Sequence, residues 1–336
     1  MRSDKETQIS FFSWLKTKTT ADELVNSLEE LLCISKDSVY RRMRGETLLT
    51  FNEISKISQH FNISLDSYLN LTSQAVVFQS RFIDHEFTFK SYIQSIAENL
   101  KMIRNFESNQ LTYLAKDVPI FHYFQFRKLA NFKIFFWLKT VVGVPELQHL
   151  NYSPDAIDKS TLDLCYTTWK QFEQIPSTEI WNNETINITI SQINYYLESE
   201  ILKVEDAQEI VDEYLALVRH IRLQATYGKK YAYGLGDVST LKSGDFYLYL
   251  NEVEIGDNTI LFKMNEQRMV FKAFNTLNTI STSDENFCEQ TEHHINRLIA
   301  KSTPLSLSSE KERTRFCNRM EEKVAQLKQK ISLTQL

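Results

Sequence analysis

Seven glycines and five prolines are all that 336 residues offer to break a helix or turn the chain sharply. An all-β sandwich needs a turn about every ten residues, commonly built on these two residue types, so their scarcity argues for long helices. The glycines are also unevenly spread. Five of the seven, Gly228, Gly234, Gly236, Gly244 and Gly256, follow residue 227, which marks a change from a helical region to one that also carries strands. The expected fold class is mainly α, with a small α+β unit toward the C-terminal end.

The first helices announce their own starts. Ser3-Asp4-Lys5-Glu6, Thr20-Ala21-Asp22-Glu23 and Thr50-Phe51-Asn52-Glu53 each set a hydroxyl three residues before a carboxylate. In this capping box the hydroxyl accepts from a free backbone N–H of the first turn, and the glutamate reaches back to the cap. Apolar residues then recur at helical spacing: Ile9, Phe12 and Leu15; Leu24, Leu28, Leu31 and Leu32; Ile54, Ile57 and Phe61.

Before the last of these helices lies a shorter, basic one. Ser35 can cap it, Val39 and Met43 share one face at i,i+4, and Gly45 can end it in the left-handed conformation. Lys36, Asp37, Ser38, Arg41, Arg42 and Arg44 are then left to face outward. A helix entering the major groove presents its N-terminal residues to base edges and its flanking cations to phosphates. On that geometry Lys36, Asp37, Ser38 and Arg41 are base-reading candidates, with Ser35 beside them at the cap. Arg42 and Arg44 look more like phosphate anchors. The plain alternative is a solvated basic face balanced by Asp37 and Glu46; the ordered run of capped helix, turn, basic helix, Gly and capped helix favours nucleic acid.

The stretch Ile34-Ser35-Lys36-Asp37-Ser38-Val39-Tyr40-Arg41-Arg42, followed by Arg44-Gly45-Glu46 and Phe61-Asn62-Ile63-Ser64-Leu65-Asp66, resembles the lambda-repressor and Cro-like helix-turn-helix domains over residues 5–70. The resemblance implies a five-helix DNA-binding domain that dimerises on two-fold operators. Cys33 departs from the family pattern, standing where the turn usually has Gly, and a left-handed Cys costs about 1 kcal/mol. Glu29 departs too, where the second helix usually has a small residue. Over the whole chain, Ala115-Lys116-Asp117-Val118-Pro119-Ile120-Phe121, Asn258-Thr259-Ile260-Leu261 and Ser281-Thr282-Ser283-Asp284 give a looser resemblance to large two-part regulators of Bacteroidota with an N-terminal Cro-like domain.

Beyond a polar link near Leu71 to Gln74, residues 76–230 read as a helical, aromatic-rich bundle. Examples of its helices are Tyr92–Ile103, Leu162–Phe172, Ile190–Leu202 and Ala207–Tyr227. The densest aromatic block runs from Pro119 to Phe126 and from Phe132 to Trp137. One reading is an apolar pocket for a small effector, with His122, Tyr123 and Trp137 as polar handles. The other, which the usual role of apolar clusters favours, is core or dimer interface. In residues 231–336, the segments Phe246–Ile255, Thr259–Met264 and Arg268–Phe274 read as a three-stranded antiparallel meander. Gly256-Asp257-Asn258 and Asn265-Glu266-Gln267 are its turns, and helices Asp284–Ala300 and Ser309–Lys330 follow. The sequence leaves open whether 76–230 and 231–336 are one domain or two.

Other classes fit less well. The net charge of −5 gives no whole-chain attraction to nucleic acid, so DNA contact must come from a local patch. Cys33, Cys165, Cys288 and Cys317 show no CxxC spacing and suit reduced thiols of a cytoplasmic protein. Asp4 and Glu6 interrupt any signal-peptide start. The most apolar run, Phe132 to Val144, is too short for a span and carries Lys133 and Lys139. Tyr231-Ala232-Tyr233-Gly234-Leu235-Gly236 lacks the frame of a phosphate loop, and Glu292-His293-His294 lacks a third metal ligand. No nucleophile, base and acid assemble from spacing. The expectation is a cytoplasmic transcription regulator without cofactor, metal or catalytic residues. Residues 1–70 bind double-stranded DNA, and the remainder serves homodimerisation and the sensing of a small-molecule or protein effector. The alternative is an adaptor that uses the helix-turn-helix fold to dock a protein.

Overall fold

Local capping sets where the first helices begin. In the computed structural model, which describes residues 3–16, 21–61, 63, 65, 76–80, 88–235, 243–252, 255–275 and 278–333, α1 (Asp4–Leu15) starts behind Ser3 and α4 (Phe51–His60) behind Thr50. Both carry the two bonds of the capping box. Between them lie α2 (Ala21–Leu32) and α3 (Lys36–Met43). The Thr20 box, the link at 71–74 and the fifth helix expected before residue 70 fall outside the described residues.

The chain divides into two units, Met1–Val77 and Phe78–Leu336. The smaller one buries Phe11, Phe12 and Leu15 of α1, Leu24, Val25 and Leu28 of α2, Val39 of α3 and Ile57 of α4. Burying a large apolar side chain gains about 1.5–3 kcal/mol, so this short core is what holds the four helices together. Ile9, expected on the inner face of α1, lies beside Gly45 and is exposed; Phe11 takes its place inside.

In the larger unit the helices are α5 (Phe89–Arg104), α6 (Ile120–Tyr123), α7 (Arg127–Phe136), α8 (Lys159–Glu173), α9 (Asn187–Glu198), α10 (Val204–Tyr227), α11 (Glu285–Ala300) and α12 (Glu310–Leu333). The strands are β1 (Gln79–Ser80), β2 (Asn109–Ala115), β3 (Ser177–Trp181), β4 (Phe246–Leu250), β5 (Thr259–Met264), β6 (Gln267–Asn275), β7 (Asn278–Thr282) and β8 (Thr303–Pro304). They form one mixed sheet in the order β1-β7-β6-β5-β2-β3-β4-β8. Strands β2, β3 and β4 run parallel, and β5 pairs antiparallel with β2. Alternation along β2 sends Leu111, Tyr113 and Ala115 into a large helical core, and Leu114 into a smaller core that includes Cys288 and Ile295 of α11. Both faces of the parallel strands are covered, as parallel pairing generally requires. No helix among the described residues is long and apolar enough to cross a membrane.

Two expectations change here. Residues 76–230 are not a helical bundle alone, because β2 and β3 are central strands of the sheet. Every residue of β3 is buried, so it lacks the alternation by which a half-exposed strand is recognised. The meander exists, but as β5-β6-β7. Segment 246–255 is not its first strand: β4 ends at Leu250 and pairs in parallel with β3. Nor does Gly256-Asp257-Asn258 make a hairpin. The Asn258 Oδ1 accepts from the backbone N–H groups of Lys116 and Asp117, at 2.9 and 3.3 Å, and ties the entry of β5 to the exit of β2. Because strands from both halves share the sheet, residues 78–336 form one unit with no boundary at 230.

Candidate nucleic-acid interface

The turn from α2 to α3 consists of Cys33, Ile34 and Ser35. Cys33 takes the left-handed conformation, φ 54°, and the Ile34 N–H donates to the Glu29 carbonyl at 3.2 Å. This is the helix stop that normally favours glycine. Ser35 then caps α3, its hydroxyl accepting from the Ser38 N–H. At the far end Gly45 has φ 67°, and a Cβ there would sit 2.8 Å from the Lys5 Cγ of α1. Gln8 of α1 fixes the chain that leaves α3. Its amide donates to the carbonyls of Arg42 and Thr47 at 2.7 and 2.8 Å and accepts from the Leu49 N–H at 2.7 Å.

Buried Val39 and half-buried Met43 define the inner face of α3. Opposite them Lys36, Asp37, Tyr40, Arg41 and Arg44 are exposed. Lys36, Tyr40 and Arg44 follow one another at i,i+4 and share a row. Tyr40 carries no charge and does not stand out in the sequence; its spacing from Lys36 is the signal that marks it. Ser38 is only half exposed, and its hydroxyl meets the Ser35 hydroxyl at 3.1 Å.

Arg42 is not an outward cation. Its guanidinium donates to the Glu53 Oε1 at 2.8 and 3.1 Å and to the Ser38 carbonyl at 3.3 Å. The Arg42 and Glu53 side chains are each 16% exposed, against 54% for Arg41 and 56% for Arg44. Three residues after Val39, Arg42 shares the inner face of α3. Its assignment as a phosphate anchor is therefore corrected to an internal strut between α3 and α4. Burial raises the Glu53 pKa, but the Thr50 backbone N–H and the Arg42 guanidinium outweigh it and leave the group below the ordinary carboxylate range.

The remaining cations have weak local partners. Arg44 lies 2.7 Å and Arg41 3.7 Å from Glu46, and Lys36 lies 3.9 Å from Glu29. Exposed pairs of this kind contribute little and exchange readily for a phosphate oxygen. The arrangement offers a short helix with a polar, aromatic-centred row and three exchangeable cations.

In the larger unit His122, Tyr123 and Trp137 are buried. His122 Nε2 meets Glu179 at 2.8 Å, and the Tyr123 hydroxyl donates to Asp117 at 3.1 Å. Trp137 stacks on Phe89 with ring centroids 5.9 Å apart. None of the three is among the residues lining a groove of about 720 Å³ on this unit. They pack as core, so their role as pocket handles is corrected. At their centre Lys133, fully buried, donates to Gln192 at 2.8 Å, Thr189 at 3.0 Å and Asp117 at 3.4 Å. Burial pulls its pKa down, and Asp117 opposes the shift. Comparisons of the chain with protein-family models, with curated proteins and with solved structures return no match. Function is therefore argued from the sites themselves.

Proposed function

We propose that residues 1–77 bind double-stranded DNA as a helix-turn-helix, with α3 in the major groove, and that the chain acts as a transcription regulator. The observation that carries this reading is the three-residue turn followed by a capped helix whose exposed row is Lys36, Tyr40 and Arg44, flanked by Asp37 and Arg41. One α3 per chain covers a single half-site, so two copies on a two-fold operator supply the affinity, with half-sites about one helical turn apart. The unit 78–336 supplies the dimer contact and any effector response.

Selection from random duplex DNA, followed by a salt titration on the enriched sequence, tests the reading. A two-fold motif is expected, with affinity falling steeply with salt. Arg44→Ala should shallow the slope of log affinity against log salt by about 0.9, one phosphate contact, and Arg41→Ala should weaken binding and relax preference at its base pair. Absence of enrichment from folded protein at low salt refutes it. A second reading, a protein-docking module, draws on Phe51, 86% exposed, together with exposed Leu48 and Tyr40 near α3. Docking through those side chains predicts a shallow salt response and sensitivity to Phe51→Ala.

A further inference from the structure

The groove of about 720 Å³ lies where the parallel strands β2, β3 and β4 deliver their carboxyl ends: Lys116 follows β2, Asn182 and Asn183 follow β3, and Glu252 follows β4. Crevices outside the carboxyl ends of parallel strands are the usual ligand positions of open sheets, and this volume is in the range of small-molecule sites. Helix α9 begins beside it, with Asn187 and Gln192 among the lining residues.

The hydrogen bonds on the protein side fix which way the carboxamides face. Lys133 can only donate, so the atom of Gln192 that meets its ammonium at 2.8 Å is the oxygen. The Gln192 NH2 is then at the opposite end. Gln192 is 8% exposed and lines the groove, and among the described residues no partner takes up that NH2. The same argument orients two more. The Asn182 oxygen accepts from the Glu184 N–H at 2.9 Å, and the Asn183 oxygen accepts from Arg319 at 2.7 Å. Three carboxamides thus have their acceptors tied, and among the described residues no partner takes up their NH2 groups. The buried Lys133 charge behind Gln192 polarises that amide further.

A donor-rich lining wants an acceptor-rich ligand, and bonds to an ionised acceptor are the stronger ones. The lining adds Phe136, Ile188 and Tyr195, which suit an apolar body. Of the lining carboxylates, Glu184 is paired with Lys323 at 3.5 Å and Glu252 faces the same groove as Lys116, which leaves room for one negative charge and disfavours a second. We infer that the groove binds a small monocarboxylate with an apolar or aromatic body, its carboxylate received by the NH2 groups of Gln192, Asn182 and Asn183. This site adjoins the aromatic block through Phe136 and Lys133, and it stands or falls independently of DNA binding.

Titration calorimetry of the full chain with 3-phenylpropionate, 3-phenylpropionamide and phenyl phosphate tests it. The carboxylate should bind at one site per chain, at least about tenfold tighter than the amide or the phosphate, which is about 1.4 kcal/mol. Gln192→Glu keeps an acceptor for Lys133 while replacing the donor by an anion, so it should weaken the carboxylate by about tenfold or more in a folded protein. Tyr195→Ala, at an exposed lining position, should weaken it several-fold. Equal affinity for the carboxylate and the amide, wild-type affinity in Gln192→Glu, or no binding of 3-phenylpropionate at about 10 mM overturns the inference.

Discussion

Adjacent arginines on α3 should respond to truncation in opposite ways. Arg42→Ala removes two charged bonds to Glu53 and one to the Ser38 carbonyl from a pair that is 16% exposed on each side. A bond to a charged group contributes about 1.5–3 kcal/mol when buried. Partial solvation lowers that, and Glu53 keeps its capping bond from the Thr50 N–H at 2.8 Å, so about 2 kcal/mol is the expected loss. For a unit of 60–100 residues each kcal/mol moves the midpoint by about 4–8 °C, which gives about 8–16 °C. Hydrogen exchange of the full chain, followed over peptides spanning α3 and α4, isolates this effect from the larger unit: exchange by unfolding should accelerate about 30-fold. The stabilisation should also depend on acid. Glu53 has a folded pKa below its unfolded one, so the contribution is intact above the unfolded value and lost as pH falls through the folded value. Arg42→Ala should flatten that acid limb. Arg41→Ala, 54% exposed, should leave exchange unchanged and act on DNA affinity alone. Equal exchange rates in Arg42→Ala and wild type would refute the strut.

Three further outcomes follow from contacts away from the exposed face. Gly45→Ala combines a positive φ with a Cβ 2.8 Å from the Lys5 Cγ, so it should cost more than the roughly 1 kcal/mol of backbone strain alone, read by denaturant titration. Gln8→Ala deletes three bonds at 2.7–2.8 Å, and about 2–4 kcal/mol is expected, with the loop at 44–50 the first region to lose exchange protection. Burial brings Lys230 down to about 7, against the pull of Glu179 and Glu173. The unfolded chain therefore holds a proton that the folded one has released between about pH 7 and 10, and stability of the larger unit should rise across that window. Lys230→Met should remove this rise; parallel pH profiles would contradict it.

What the sequence disclosed was local. Ser3, Ser35 and Thr50 cap the helices they precede, because a hydroxyl finds its backbone partner within three residues. Gly45 adopts the left-handed stop expected of it, and Cys33 takes one as well despite its side chain. Arg42 and Gln8 were illegible because their partners lie 11 and 34–41 residues away. Strand β3 was hidden by burial on both faces, and β4 by pairing with a strand some 70 residues earlier rather than with its neighbour. The aromatic block was correctly seen as dense, but density does not distinguish a lined pocket from a filled core. What decided that was Lys133, whose charge occupies the space between Tyr123 and Trp137 at 4.6 and 5.1 Å from their rings. The groove itself is built from Asn and Gln, residue types too common on surfaces to stand out in a sequence.

The strand order β5-β2-β3-β4 sets a schedule for synthesis. Strand β2 leaves the ribosome early but receives its partners only when residues 177–181 and then 259–264 have been made. Helix α12, which packs along α10 and pairs Glu321 with Arg219 and Arg222, arrives later still. At about 5–20 residues per second, the larger unit spends on the order of 10–50 s with open strand edges and uncovered apolar faces. The four N-terminal helices, whose shared core runs from Phe11 to Ile57, can close long before. Each nascent chain thus carries a finished small unit ahead of an unfinished sheet, and chaperone dependence should fall on residues 78–336 alone.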